Sequence, residues 1–264
     1  MSTEDIIKSI NTLRKSKAYV TNAFITKPQL DAMLAEERTQ VIQGDDILLL
    51  LEEEPDLVRV YFYAADITSL QQIKCLLPKC GKPIVADIVG KNPLAENLAK
   101  ALIDKGFEQY SVFVRMTCGS PQMLDSADVS CVEYAKNNDI EEICRLLYSE
   151  FDPLFSHFPT QNEIAAAVDK REIIVVRREQ QIAGFAYFEV ISSRHVCLRY
   201  FVVNSKYRRQ GIGKALLAHA FTNNNQGVIY TLWISTYNST IELYKRLNFK
   251  QDAMVDYIML YKGE

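Results

Sequence analysis

Hydrophobic positions recur along this chain with two alternating periods, near two and near 3.6 residues, and the switches between them divide it into strands and helices. In the second half, residues 129–134 read as a strand and 139–150 as an amphipathic helix with Ile140, Ile143, Leu146 and Leu147 on one face. A second short helix follows at 162–169. Residues 173–177 and 182–191 read as a hairpin around Glu179-Gln180-Gln181, and 196–203 as the next strand. Strands rich in branched and aromatic residues at 228–234 and 254–260 flank a helix at 238–247, capped by Asn238 or a neighbour. That helix ends at Asn248-Phe249, where Asn248 suits a left-handed cap. In the first half, 46–52 and 58–63 are strand candidates, a strand begins at Pro83, 94–105 is a helix and 110–116 a strand. The pattern predicts an α/β (α+β) chain built on mixed, mostly antiparallel twisted sheet flanked by helices.

The junction after the 196–203 strand carries the chemistry. An apolar strand runs into Asn204-Ser205-Lys206-Tyr207-Arg208-Arg209-Gln210, then Gly211-Ile212-Gly213, and a helix starts on the second glycine. Backbone N–H groups at such a helix start converge on one point with the positive end of the helix dipole behind them, which suits an anion. Lys206, Arg208, Arg209 and Lys214 surround it and favour a diphosphate. One residue between the glycines excludes a P-loop. Leu216 stands where a dinucleotide fingerprint needs a third small residue, and the next strand carries no acidic residue for a ribose. A nucleotide-dependent oxidoreductase or kinase is disfavoured on both counts.

What remains, Arg208-x-x-Gly211-x-Gly213 between strand and helix, resembles motif A of the GNAT N-acetyltransferases, whose loop holds the pyrophosphate of acetyl-coenzyme A. The following Asn238…Leu243-Tyr244…Asn248-Phe249 resembles motif B of that family, with Asn248 where the family usually has Gly. The resemblance covers residues 129 to the C-terminus and implies a cosubstrate site in which Arg208, Arg209, Gln210, Gly211, Ile212, Gly213 and Lys214 hold the diphosphate. It implies that backbone groups of Phe201, Val202 and Val203 bind pantetheine where the sheet splays after Val203, and that Asn238 contacts it or caps the helix. It also implies that Tyr244 is the general acid toward the departing thiolate and that the acceptor amine attacks directly. Some relatives carry a glutamate near the place of Cys197, yet no carboxylate lies between His195 and Asn204, so Glu189, His195, His157 or a water chain stay open as the base. Arg199, if it faces the cleft, is suited to a carboxylate on the acceptor. Residues 151–159, with three phenylalanines, two prolines, Asp152 and His157, are the expected acceptor wall, Asp152 facing an ammonium group.

The first half repeats the plan of the C-terminal end. Strand, Asn92, helix, Gly106-Phe107 and strand stand where the second half has strand, Asn238, helix, Asn248-Phe249 and strand, but no Arg-x-x-Gly-x-Gly occurs between Tyr63 and Pro83. Two domains are expected, a degenerate GNAT-like one at 1–120 without a phosphate loop and a GNAT acetyltransferase domain at 121–264, parted at Cys118-Gly119-Ser120-Pro121.

Composition narrows the rest. A net charge of −3 and a pI near 5.8 speak against a polyanion binder, so no nucleic-acid partner is expected. The apolar run Ile47 to Leu51 is too short to span a membrane and no basic-then-apolar leader opens the chain, which predicts a cytoplasmic protein. The six cysteines lack paired Cys-x-x-Cys spacing, so no metal is expected and reduced, mostly buried thiols are. The expected activity is acetyl transfer from acetyl-CoA to a small amine, an amino acid or amino sugar, by a monomer with an internal pseudo-dimer or by a homodimer. A non-catalytic acyl-CoA-binding or scaffold protein is the alternative.

Overall fold

The computed structural model describes residues 1–122, 127–222 and 227–263 of the 264. The chain forms two compact units, Met1–Phe113 with Ala253–Glu264, and Val114–Asp252.

The first unit contains α1 (Thr3–Leu13), β1 (Val20–Thr21), α2 (Lys27–Ala35), β2 (Thr39–Gln43), β3 (Ile47–Glu53), β4 (Val58–Ala64), the short α3 (Ile73–Leu76), β5 (Ile84–Lys91) and α4 (Leu94–Ile103). β6 (Glu108–Cys118) follows and crosses the unit boundary. The second unit contains β7 (Val132–Tyr134), α5 (Ile140–Glu150), α6 (Gln161–Asp169), β8 (Ile173–Arg178), β9 (Gln181–Ser192), β10 (His195–Val203), α7 (Ile212–Thr222), β11 (Ile229–Ser235) and α8 (Ile241–Arg246). β12 (Lys250–Tyr261) leads back into the first unit.

In the first unit the strand order is β2-β3-β4-β5-β12, with β1 on β4. β2/β3, β3/β4 and β5/β12 pair antiparallel and β4/β5 pair parallel. The run Ile47 to Leu51 is continuously apolar because this sheet is covered on both faces. Ile47, Leu49 and Leu51 enter a core with Leu98, Ala99 and Leu102 of α4, while Leu48 and Leu50 pack with Ile6, Ile10 and Leu13 of α1 and Leu30 of α2. A capping box, Ser2 with Asp5, starts α1.

On the α1/α2 side of this sheet lies a buried charged group. Arg59 is fully buried, its Nε 2.6 Å from Glu54 Oε1 and its Nη1 3.0 Å from Asp87 Oδ2. Asp256 on β12 joins it: its Oδ1 is buried without a hydrogen-bond partner among the described residues, although the residue as a whole is partly exposed.

In the second unit β6-β11-β10-β9-β8-β7 is the strand order, parallel for β10/β11 and antiparallel for β7/β8, β8/β9 and β9/β10. Ile143, Leu146 and Leu147 of α5 and Ile164 of α6 cover one face, against Ile173, Val175, Phe185 and Val202. α7 covers the other, where Ile212 Cγ2 would lie 2.9 Å from a Cβ at Gly184.

The two units repeat each other in detail. α8 ends with Asn248 at φ 68°, Phe249 N–H donating to Tyr244 O (3.0 Å) and Asn248 N–H to Lys245 O (3.1 Å). α4 ends with Gly106 at φ 92°, Phe107 N–H donating to Leu102 O (3.2 Å) and Gly106 N–H to Ile103 O (3.0 Å). Both are Schellman caps followed by a buried phenylalanine.

Several expectations need amendment. The terminal strand, counted above with 121–264, packs on β5 in the first unit, and the boundary after α4 falls at Phe113/Val114 inside β6 rather than at 120/121. Strand 129–134 shrinks to Val132–Tyr134, and the helix expected at 238–247 is regular only over Ile241–Arg246 because its first turn closes by i→i−3 bonds such as Ile241 N to Asn238 O. The hairpin turns as expected, with Glu179 at φ 51° and Gln180 at φ 67°, the double left-handed turn that suits strand twist. Of the cysteines, Cys118 is buried but Cys75 and Cys80 are exposed. Among the described residues no group of three His, Cys, Asp or Glu could hold a metal, and no helix is long and apolar enough to cross a membrane.

Candidate active site

β10 sets the site. Its register with β11 runs from His195↔Ile229 to Leu198↔Leu232 and stops there, while its pairing with β9 continues to Val203↔Gly184. The sheet therefore opens after Leu198, five residues earlier than the Val203 that the resemblance implied, and among the described residues no strand pairs with the β11-facing edge of residues 199–203. Phe201, Val202 and Val203 lie on this stretch; Val202 is buried and the other two are half-buried.

The glycine loop closes the open end. Gly211 adopts φ 81°, a region open to glycine at no steric cost, and a Cβ built there meets nothing within 4 Å. α7 begins at Ile212, one residue before the expected Gly213. Its first intrahelical bond is Ala215 N–H to Gly211 O at 2.9 Å, so the amides of Ile212 and Gly213 have no acceptor within the helix. Gly213 is held close: a Cβ there would stand 3.0 Å from Phe201 Cζ and 3.4 Å from Val203 Cγ2. The loop places helix-start amides at the end of a strand whose β11-facing edge is unpaired, the combination that fits a diphosphate continued by an amide-bearing arm.

The basic residues divide their tasks. Arg209, itself at φ 64°, Gln210 and Lys214 are exposed around the loop. Arg208 instead braces it, its Nε donating to Val203 O (3.1 Å) and its Nη2 to Glu150 Oε2 (2.6 Å) on α5. Lys206 reaches Glu179 and lies 4.9 Å from the Tyr207 ring centre.

Across the strand, a register shift between Leu198 and Tyr200 leaves Arg199 without a register partner on β9. Glu189 is the partner of Cys197 and Tyr187 of Tyr200, so these four share the α5/α6 face. Arg199 lies 5.9 Å and 6.0 Å from the Tyr187 and Tyr200 ring centres, and its Nη1 is 3.4 Å from Glu189 Oε2. Burial pushes both tyrosines up to about 12, against the pull of the Arg199 charge. His195 Nε2 is 2.8 Å from Thr231 Oγ1 on β11.

The 151–159 segment packs over this face. Phe151 meets Tyr200 edge-on at 5.5 Å, and the Tyr200 hydroxyl donates to the His157 carbonyl. The His157 side chain is exposed, and Asp152 Oδ1 accepts from Leu154 N–H at 2.9 Å within the loop. Asn238 is exposed and its Oδ1 accepts from Thr240 N–H (2.9 Å), which makes it a turn-former ahead of α8. Tyr244 is buried and meets Phe249 edge-on at 5.7 Å, in an aromatic group with Phe221 and Tyr230. Burial holds its phenol well above the ordinary tyrosine value, so it stays protonated at neutral pH. Thr231, Tyr187, Glu150 and Gly184 escaped the sequence analysis. Only Gly184, a glycine inside an apolar strand, carried a local signal for a close backbone approach: a Cβ there would stand 2.8 Å from Val202 O.

Residues 169–251 match the family described as the acetyltransferase (GNAT) domain. A GCN5-related N-acetyltransferase from Kribbella flavida is similar over 96% of this chain and 96% of its own, at 14% identity and TM-score 0.55. An acetyltransferase of the GNAT family from Colwellia psychrerythraea is similar over 98% and 97%, at 10% identity and TM-score 0.54. A tandem GNAT protein from the clavulanic acid biosynthesis pathway is similar over 86% and 84%, at 11% identity and TM-score 0.52. These likenesses show the fold, a mixed α/β arrangement of sheet flanked by helices that these GNAT proteins, one of them a tandem GNAT protein, share across both halves. No curated protein matches the sequence.

Proposed function

We propose that residues 114–252 form an acetyl-CoA-dependent N-acetyltransferase whose acceptor is a primary amine on a small molecule. The observation that carries this reading is the parting of β10 from β11 after Leu198, directly upstream of a glycine loop with open space at Gly211. Backbone groups of residues 199–203 take the pantetheine amides as a strand would. The amides around Gly211, Ile212 and Gly213 take the diphosphate, with Arg209, Gln210 and Lys214 around it and Arg208 fixing the loop through Glu150. The cosubstrate supplies an activated acetyl group.

Attack forms the bond from the amine nitrogen to the thioester carbonyl carbon and breaks the carbon–sulfur bond. Glu189 receives the ammonium proton, since it is the carboxylate opposite Cys197 on the face shared with Arg199. Tyr244, kept protonated by burial, gives its proton to the leaving thiolate. Arg199, set between Tyr187 and Tyr200, binds a carboxylate of the acceptor, which points to an amino acid or related amino acid-like compound.

Thiol release from acetyl-CoA across a panel of amines, amino acids and amino sugars tests this directly. Turnover concentrated on carboxylate-bearing amines upholds the reading. The second reading, an acyl-CoA-binding protein without turnover, is favoured by one observation, the packing of Tyr244 into the Phe249 and Phe221 aromatic group. Tight coenzyme A binding without turnover on any acceptor would establish that reading instead.

A further inference from the structure

In the first unit, β4 and β5 repeat the geometry of β10 and β11. They pair in parallel at Val58↔Ile84 and Arg59↔Val85 and then part. β3 takes one edge of β4 along its whole length, from Glu53↔Val58 to Ile47↔Ala64, so the second edge opens toward the gap. That gap is filled by the chain itself. β1 runs antiparallel to β4, Val20 opposite Ala64 and Thr21 opposite Tyr63, and Thr21 Oγ1 donates to Phe62 O at 2.6 Å. The Asn22 carboxamide then spans the opening: Oδ1 accepts from Phe62 N–H (2.7 Å), and Nδ2 donates to Val60 O (3.0 Å) and to Asp87 O on β5 (3.2 Å). Val20, Asn22 and Ala23 are all buried.

The position after β4 is filled in the same way. Where the second unit continues β10 into the Gly211 loop, the first continues β4 into a two-turn 3₁₀ helix, Ile67–Gln72, capped by Asp66. Its Oδ1 accepts from Ser69 N–H at 2.9 Å and from the Thr68 hydroxyl at 2.6 Å. These bonds hold the Asp66 carboxyl below the usual carboxylate range. A fixed negative charge therefore occupies the position that follows β4.

We propose that residues 19–23 and Asp66 are a built-in ligand. They occupy, in the first unit, the places that the second unit keeps for a pantetheine arm and its diphosphate, and the chain takes up one coenzyme A, through residues 114–252. This rests on the reading of residues 199–213 given above. The first unit is thus a closed GNAT cleft, and the N-terminal segment is part of its sheet.

Amide hydrogen exchange on the full chain, with and without coenzyme A, tests it together with a binding titration. The expected result is a slow Phe62 amide without ligand, no change there on adding coenzyme A, new protection confined to residues 199–213, and one equivalent bound. Asn22→Ala should speed Phe62 exchange at least tenfold while the β3–β4 ladder amides hold. Retention of those ladder amides guards against a variant that merely unfolds. A Phe62 amide that exchanges freely, that gains protection from coenzyme A, or a second bound equivalent would overturn the proposal. A protected Phe62 with no coenzyme A effect at 199–213 would uphold the closed cleft and defeat the function proposed for the second unit.

Discussion

Glu189 on β9 faces Cys197 on β10 in register, and its Oε2 lies 3.4 Å from the guanidinium of Arg199, the residue that the β10 register shift displaces. A carboxylate and a cation thus stand side by side where the sheet opens, although β10 itself carries no acid between His195 and Asn204. Glu189→Gln should lower kcat about 10²-fold, the usual contribution of a positioned base, with thermal stability retained. Arg199→Ala should act mainly on KM for a carboxylate-bearing acceptor, and Arg199→Lys should recover only part of it because the planar fork is lost. Steady-state kinetics on both variants check this, and an unchanged kcat in Glu189→Gln would leave the proton to His195, His157 or a water chain.

The glycines make a ranking that coenzyme A affinity and stability read separately. Gly184→Ala forces a Cβ to 2.8 Å from the Val202 carbonyl and 2.9 Å from Ile212 Cγ2, and a backbone oxygen cannot move aside. Overpacking of that kind costs about 1–3 kcal/mol. Gly211→Ala meets open space but must hold φ 81°, at about 1–2 kcal/mol for the left-handed backbone. Gly211→Glu adds a negative charge to the proposed diphosphate seat and should abolish binding while stability falls no further than in Gly211→Ala. Urea unfolding and calorimetric titration on the three variants distinguish the two effects.

Tyr244→Phe removes one buried hydroxyl and keeps the edge-on contact with Phe249. Binding of coenzyme A should stay within a few-fold of the parent while kcat falls about 10–10²-fold, the loss of a proton donor to the thiolate. A variant with full kcat would mean that solvent protonates the thiol and that the tyrosine is a core residue.

The loop was legible in the sequence because backbone geometry left few residues able to fill it. Gly211 must hold a positive φ and Gly213 must sit under Phe201, so the glycines appear at a fixed spacing whatever surrounds them. The Asn248 and Gly106 caps were legible for the same reason. The opening after Leu198 was not, since residues 199–203 are equally apolar whether or not β11 pairs with them; the choice of partner is tertiary. β12 likewise has the alternation of any half-buried strand, and nothing local says that it joins β5. The segment 19–23 carried too short a pattern to announce a strand, and Asn22 looks like a loop residue until its three hydrogen bonds are seen. Arg59 interrupts an apolar strand as a surface residue would, yet it is buried because Glu54 and Asp87 meet it.

That buried group gives the first unit a pH signature. Burial first, and the neighbouring Asp87 charge second, push the Asp256 carboxyl well above the usual carboxylate range, with Arg59 pulling against them. Asp87, Arg59 and, through Arg59, Glu54 are the charges that face it. The folded chain therefore keeps a proton on Asp256 that the unfolded chain releases above about pH 4. Over that range the unfolded state binds fewer protons, so this residue's contribution to stability falls as pH rises, until the folded value is passed. Asp256→Asn keeps the shape and cannot ionise. It should match the parent near pH 4 and exceed it by a margin that grows toward pH 8, read as a rising difference in urea midpoint. Arg59→Met should do the opposite, destabilising by about 3–5 kcal/mol at neutral pH, because it strands the Asp87 and Glu54 carboxylates without their buried partner. A midpoint difference for Asp256→Asn that stays flat from pH 4 to pH 8 would show that the carboxyl is ionised in the folded chain and that Arg59 compensates both aspartates.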